Sequence, residues 1–494
     1  MSAITKQNYR GVYHFSPQHN WMNDPNGLVY FEGEYHLFFQ HHPDGMSMGE
    51  MHWGHAVSKD LITWEELPVA LVPDELGMIF SGSAVVDWKN TTGLFEEKPG
   101  LVAIFTHHLN MPEGQPAVQY QSLAYSKDNG RTWIKYAGNP VLTHDTFIDF
   151  RDPKVFWDTE RERWVMIVAC GQTVCLYHSP DLIRWSFASE FGAGIGSHDG
   201  VWECPDLFPL AVDGDENNIK WVMLVSIGAE PAFEEGSRTQ YFTGDFDGSL
   251  FTPDKESQVI RWVDYGRDNY AGVSWSDLPE EDGRRLFIGW MSNWMYAQQT
   301  PTEGFRGAMT IPRELTLEMR NGEATLIQKP AQELEAARIP VLSLKNASVQ
   351  EINAACAGLE MDAYLIEAKL PRGTSAGFRL KAGAGEQTAA GINGQTEELY
   401  VDRSASGKIG FHSLFPGIHS AKLAAPAEIY DLSIYVDRSS VEVFAGGGQA
   451  VVTDLMYPGP ASKGLAAFAE HEEDVFLSLD IYELSSPAAA GSGK

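Results

Sequence analysis

At 494 residues the chain is too long for one ordinary core, so two domains are expected, and 43% hydrophobic with 21% charged residues is the composition of a folded protein. Acidic residues number 67 against 36 basic ones, a formal charge of −31 that disfavours nucleic acid and anionic membrane as partners and suits a neutral ligand. The four cysteines, 170, 175, 204 and 356, show no CxxC pairing and suggest no disulfide framework. No stretch approaches the roughly eighteen apolar residues of a membrane span. The opening Met1-Ser-Ala-Ile-Thr-Lys lacks the apolar core of a secretory signal. The chain as it stands reads as cytoplasmic, or as secreted if a leader has been trimmed.

The first notable stretch is His19-Asn20-Trp21-Met22-Asn23-Asp24-Pro25-Asn26-Gly27, a turn signal that runs straight into the apolar Leu28-Val29-Tyr30-Phe31. A turn feeding a strand would hold Asp24 on rigid backbone at the strand's start. Short runs rich in Val, Ile, Phe, Tyr and Trp, broken by Gly, Pro, Asn and Asp, continue through the first 320 or so residues and read as all-β. Ser58-Lys-Asp-Leu-Ile-Thr-Trp64, Ser126-Lys-Asp-Asn-Gly-Arg-Thr-Trp133 and Ser179-Pro-Asp-Leu-Ile-Arg-Trp185 share a Ser-x-Asp turn followed by Trp, and Phe246-Asp-Gly-Ser-Leu-Phe251 is a degenerate fourth. Spacings of roughly 50 to 70 residues suit one four-stranded blade per repeat. Residues 1–325 are therefore expected to form a five-bladed β-propeller, whose innermost strands bring residues distant in sequence to one central funnel.

Residues 326–345 change texture, with short helical character across Gln328 to Arg338, and read as a linker. Residues 346–485 return to alternating segments such as Leu432-Ser-Ile-Tyr-Val436, with Leu432, Ile434 and Val436 on one face, and Tyr-Val-Asp-Arg-Ser occurs at 400–404 and again at 435–439. A C-terminal β-sandwich is expected there. Residues 486–494 have the look of a flexible tail.

Three acidic positions stand out by context. Asp24 is the first. Asp152 lies in Phe150-Arg151-Asp152-Pro153-Lys154, where the neighbouring guanidinium of Arg151 would depress its pKa and keep it ionised. Glu203 lies in Val201-Trp202-Glu203-Cys204-Pro205-Asp206, in partly apolar surroundings that would raise a carboxyl pKa and suit a general acid.

Trp-Met-Asn-Asp-Pro-Asn-Gly, Arg-Asp-Pro and Glu-Cys-Pro, in this order, resemble the motifs of the β-fructosidases of glycoside hydrolase family 32. The resemblance runs from about Tyr13 to Leu315 and more weakly through the C-terminal domain. It implies that Asp24 is a nucleophile, Glu203 the acid/base and Asp152 a transition-state stabiliser bonded to sugar hydroxyls. The implied reaction releases terminal non-reducing β-D-fructofuranosyl units from fructans or sucrose, with net retention and without cofactor or metal. The segments around Gln40, Trp53, Phe80, Ser81 and Gly289-Trp290-Met291-Ser292-Asn293-Trp294 resemble substrate-lining stretches of the family, so Asn23, Gln40, Trp53, Phe80, Ser81, Arg151, Trp290 and Trp294 are candidate fructose contacts. Trp-Met-Ser-Asn-Trp-Met-Tyr at 290–296 looks like exo-levanases and exo-inulinases, and nothing in this acidic sequence suggests a phosphorylated substrate.

One departure is Met48, where many relatives carry a Trp; it keeps apolar contact without an indole N–H. The glycine-rich Gly192-Ala-Gly-Ile-Gly196 lacks dinucleotide spacing, and neither His41-His42 nor His107-His108 can ligate a metal jointly from one strand, since neighbours there face opposite ways. Fructosyl transfer, endo cleavage and a non-catalytic fructan-binding role are the alternative readings, and oligomeric state and linkage preference are not encoded in any motif.

Overall fold

The computed structural model describes residues 9–485 apart from 97, 256–258, 384, 424–427 and 472; the expected tail, 486–494, lies outside the described residues. These residues are almost wholly β and divide into two units. The first comprises residues 17–262 and 270–290, and the second holds the described residues up to 16, 263–269 and those from 291 onward.

In the first unit, four consecutive groups of strands each pair antiparallel in chain order. They are β1 (Asn20–Phe31), β2 (Glu34–His42), β3 (His52–Ser58) and β4 (Trp64–Leu71); β5 (Met78–Val86), β6 (Leu101–Leu109), β7 (Val118–Ser126) and β8 (Ile134–Lys135). Then come β9 (Phe150–Asp158), β10 (Arg163–Cys170), β11 (Thr173–Ser179) and β12 (Ser186–Phe191), and β13 (Trp202–Val212), β14 (Asp215–Ile227), β15 (Arg238–Phe246) and β16 (Phe251–Pro253). A further pair, β17 (Tyr270–Ser274) and β18 (Arg285–Trp290), completes the unit.

The Ser-x-Asp repeats occupy one structural position, the turn from third to fourth strand. Ser58, Ser126 and Ser179 each donate Oγ to the aspartate two residues on, at 3.0, 2.8 and 3.2 Å. That aspartate accepts main-chain N–H groups from the far side of the turn, and the closing Trp donates its indole N–H back to a turn carbonyl. Asp247 caps the fourth turn alike, accepting from Ser249 and Leu250. An Asx-type turn thus explains why this dipeptide spacing recurs.

Each sheet packs its apolar side chains on the next. Val102, Ile104 and Leu123 meet Val155, Met166 and Val168, and Ile167, Val174 and Leu176 meet Trp202, Met223 and Val225. Each such side chain contributes about 1.5–3 kcal/mol by leaving water. First strands neighbour one another in cyclic order, β1 beside β5, β5 beside β9, β9 beside β13, β13 beside β17 and β17 beside β1. Cys170 and Cys175, for which no pairing was expected, form a disulfide across the β10–β11 hairpin, which sets their Cα atoms 6.0 Å apart.

The second unit carries a β-sandwich. One sheet orders strands Arg338–Ser348, Val475–Leu484, Tyr364–Pro371, Ile429–Val436, Ser440–Ala445 and Ala450–Leu455; the other orders Ile418–Lys422, Glu398–Ala405, Glu386–Asn393, Ala376–Gly383 and Gly464–Ala469. Leu432, Ile434 and Val436 face its core with Phe378, Leu399 and Val401, as their alternation predicts. The segment 326–345 runs from the end of strand Glu323–Pro330 through a 3-10 turn, Gln332–Ala337, into strand Arg338–Ser348. Of the two Tyr-Val-Asp-Arg-Ser copies, the first buries Arg403 completely against Asp268 and Asp454, while the second leaves Arg438 half-buried on Asp362.

Candidate active site

A β-bulge lies near the start of every first strand. Between flanking ladder pairs, Asn23–Asp24 in β1 and Phe80–Ser81 in β5 are opposed by one residue of the second strand, as are Asp152–Pro153 in β9, Cys204–Pro205 in β13 and Ala271–Gly272 in β17. Bulges re-aim side chains and tolerate a proline, which has no N–H for the ladder. Asp152, Cys204 and Ala271 sit there at φ of 65°, 46° and 53°, a left-handed conformation that costs non-glycine residues energy and gathers at functional sites. The bulges turn Asp24, Ser81, Asp152, Glu203 and Tyr270 toward one another from five strands.

Asp24 is buried and held on both oxygens. Asn23 Nδ2 donates to Oδ1 at 3.0 Å and Ser81 Oγ donates to Oδ2 at 2.8 Å, and Asn23 is in turn oriented by the indole N–H of the buried Trp21 at 2.7 Å. Burial, and next the charge of Glu203, push its carboxyl above the ordinary aspartate range, while the Asn23 and Ser81 bonds pull the other way.

Glu203 was expected in partly apolar surroundings, and its carboxyl is instead gripped by polar groups. Arg151 donates Nη2 and Nε to its Oε1 at 2.8 and 3.1 Å, and the Tyr270 hydroxyl donates to its Oε2. Both oxygens are thereby fixed, although the side chain remains about one-fifth exposed.

The reading of Arg151 as the group that keeps Asp152 ionised is also corrected. Its guanidinium is spent on Glu203 and Asp149 and stands 4.0 Å from Asp152. Burial dominates at Asp152, and with the charges of Glu203 and Asp24 it outweighs Arg151, so the carboxyl is pushed up to about 7. Asp152 is anchored by its main chain, donating N–H to Thr106 Oγ1 at 3.0 Å, and its Oδ2 accepts the Cys204 N–H at 3.0 Å. The Cys204 thiol lies 3.7 Å from Asp24 Oδ2 and 3.5 Å from Asp152 Oδ2; burial and the carboxylates push its pKa up, so it stays a thiol that can donate to either.

The remaining candidates separate into contacts and packing. Gln40 lies opposite the Asn23–Asp24 bulge, and its buried Nε2 has no hydrogen-bond partner among the described residues. Phe80, half-buried, stacks on His108 with ring centroids 4.2 Å apart. Trp53 is fully buried and donates its indole N–H to the Phe80 carbonyl at 2.9 Å, so it supports that residue from the core. Trp290 is equally buried, edge-on to Trp21 and Tyr270. Trp294 belongs to the second unit. Met48 is 42% exposed. Tyr270, Cys204 and Thr106 were not singled out from sequence as site residues. Tyr270 precedes Ala-Gly as Glu203 precedes Cys-Pro and Arg151 precedes Asp-Pro, and that phase relative to the bulge was the available signal. Among the described residues no group of three His, Cys, Asp or Glu is placed to hold a metal ion.

Carboxyl groups brought together on rigid bulges, two of them gripped at both oxygens, are the equipment of a glycosidase. The profile of the glycosyl hydrolases family 32 N-terminal domain matches residues 14–330, and that of the glycosyl hydrolases family 32 C terminal matches residues 332–483. The chain belongs to glycoside hydrolase family 32. It is 49% identical over 494 residues to a levanase of Bacillus subtilis (strain 168), covering 98% of this chain and 71% of that protein. To an extracellular exo-inulinase of Aspergillus awamori it is 39% identical over 517 residues, covering 97% of this chain and 95% of that one. The crystal structure of exo-inulinase from Aspergillus awamori superposes with a TM-score of 0.87 at 35% identity, covering 97% and 99% of the two chains.

Proposed function

We propose that the protein hydrolyses terminal non-reducing β-D-fructofuranosyl units from fructans of the levan and inulin types and from sucrose, with net retention. The observation that carries this reading is the convergence of Asp24, Asp152 and Glu203 from the bulges of β1, β9 and β13. Asp24, oriented by Asn23 and Ser81, attacks the anomeric C2 as the bond from C2 to the glycosidic oxygen breaks, and Glu203 delivers a proton to that oxygen. Water then adds to C2 as the bond to Asp24 breaks, and Glu203 takes the water's proton. Asp152 accepts or donates hydrogen bonds at the sugar hydroxyls, a dual capacity that a carboxyl pushed up to about 7 retains near neutrality. Gln40 Nε2, without a partner among the described residues, supplies a donor to the same sugar.

The cyclic order of the five first strands and the repeated turn between third and fourth strands support a five-bladed propeller as the frame of this site.

A product time course on sucrose, inulin and levan, with Asp24→Ala and Glu203→Ala as controls, tests the reading. Fructose released from the outset and lost in both variants is the expected result. Early difructose or longer oligomers would overturn the assignment to terminal units.

A further inference from the structure

Asp24, Ser81, Asp152, Glu203 and Tyr270 lie near the starts of the five first strands, and residues toward the other ends, among them Tyr30, Val86, Phe156 and Phe208, line a cavity of about 820 Å³ in the first unit. Tyr30 in its lining is six residues along β1 from Asp24, about 20 Å. Between the two ends the strands close to a void of about 10 Å³ beside Pro25, Ser83, Pro153 and Pro205, room for one water at most. No sugar passes that waist, so the cavity is separate from the catalytic end. Its size falls within the roughly 300–1,000 Å³ of ligand sites.

The walls are aromatic. Trp157, Trp221 and Phe246 are half-buried along them, and Trp88 stands at the rim with 59% of its surface exposed. Trp88 is held in place, its indole N–H donated to Asp277 at 2.8 Å and its ring edge-on to Phe31, so its exposure is that of a fixed ring. The floor is polar. Lys154 and Asp206, both buried, lie 3.6 Å apart, and Arg285 rests its guanidinium over Phe208 at 4.9 Å with a buried Nε that has no partner among the described residues.

These features select a ligand class. Carboxylates outnumber cations in the lining, which disfavours an anion. Asp206 accepts from the Leu207 N–H and from the N–H and Oγ of Ser274, and Lys154 donates to the Ser274 carbonyl, so what an apolar partner would leave unanswered is the Arg285 Nε, which has no partner among the described residues. Hydroxyl groups can answer Arg285 while C–H faces lie on indole rings. We propose that this cavity is a second saccharide site, taking a short run of neutral fructosyl residues of the polymer whose ends are cleaved at Asp24. The proposal rests on the fructan reading above. Its effect is to raise the local concentration of chain ends, as any second attachment does.

The test uses the full chain. Calorimetric titration of Asp24→Ala with the trisaccharide 1-kestose is expected to show two sites, and Asp24→Ala/Trp88→Ala one. In the active protein, Trp88→Ala should leave sucrose kinetics unchanged, which also reports that the fold is intact, and raise KM on levan or inulin about three- to tenfold, the loss of one stacking ring. Trp88→Phe, which keeps a ring, should restore most of that loss. One binding site in Asp24→Ala, or polymer KM unchanged in Trp88→Ala, overturns the proposal while fructosidase activity stands. An unmodified protein that cleaves no fructoside would instead overturn the underlying reading.

Discussion

Arg151 bonds Glu203 Oε1 through Nη2 at 2.8 Å and Nε at 3.1 Å, while its own neighbour in sequence, Asp152, lies 4.0 Å from the same guanidinium. The cation serves Glu203, the proposed acid/base, on another strand, and Asp152 is left to burial.

Arg151→Lys removes this planar two-nitrogen grip, which an ammonium cannot reproduce. Because the grip orients Glu203, kcat should fall about 10- to 100-fold with KM changing less than about threefold. Steady-state kinetics on sucrose read the split. A raised KM with kcat intact would mean that Arg151 holds the sugar instead.

Ser81→Ala removes a donor that favours ionised Asp24. The Asp24 pKa then rises further, and since attack needs the anion, the acidic limb of the kcat/KM profile moves to higher pH. Loss of one hydrogen bond to a charged group predicts about a tenfold fall in kcat/KM on the acidic side. An equal loss at every pH would show that Ser81 acts on orientation alone.

Asp152→Asn should abolish most activity yet stabilise the protein above neutrality. The carboxyl is pushed up to about 7 from an unfolded value near 3.9, so the protonated form's stability is fully present below about pH 4 and is lost as pH rises through 7. The variant's gain in stability, read by thermal unfolding, should appear over that window and level off above it, reaching on the order of 4 kcal/mol. A constant difference from pH 4 to 8 would contradict the assignment.

In the second unit, His14 is buried between Asp437 and Glu442, at 2.8 Å from each, and these carboxylates raise its pKa to about 9 against the pull of burial. Stability from the charged imidazole is fully present below its unfolded pKa near 6.5 and is lost as pH rises through 9. His14→Gln should therefore destabilise by about 3 kcal/mol at pH 6 and by much less at pH 10, measured by thermal unfolding.

The all-β architecture and the three carboxyls that the strands bring together were legible because their signals are local. Asp24, Asp152 and Glu203 sit in short motifs, and the Ser-x-Asp turn is complete within seven or eight residues of Ser58, Ser126 and Ser179. What was misread depends on pairing across strands. Arg151 adjoins Asp152 in sequence, but its side chain reaches the neighbouring first strand, and no spacing along the chain encodes that. Trp53 and Trp290 were offered as sugar contacts because indole suits both sugars and cores, and only burial tells the two apart. Tyr270 was missed because its partner, Glu203, lies 67 residues away.

The measurement nearest the central claim is mass spectrometry of the covalent intermediate. Glu203→Ala, incubated with a fructoside carrying an activated leaving group, should accumulate one fructosyl residue on the peptide that contains Asp24, because departure no longer needs the acid while hydrolysis still needs the base. An adduct on any other residue, or steady turnover by Asp24→Ala, would contradict the account.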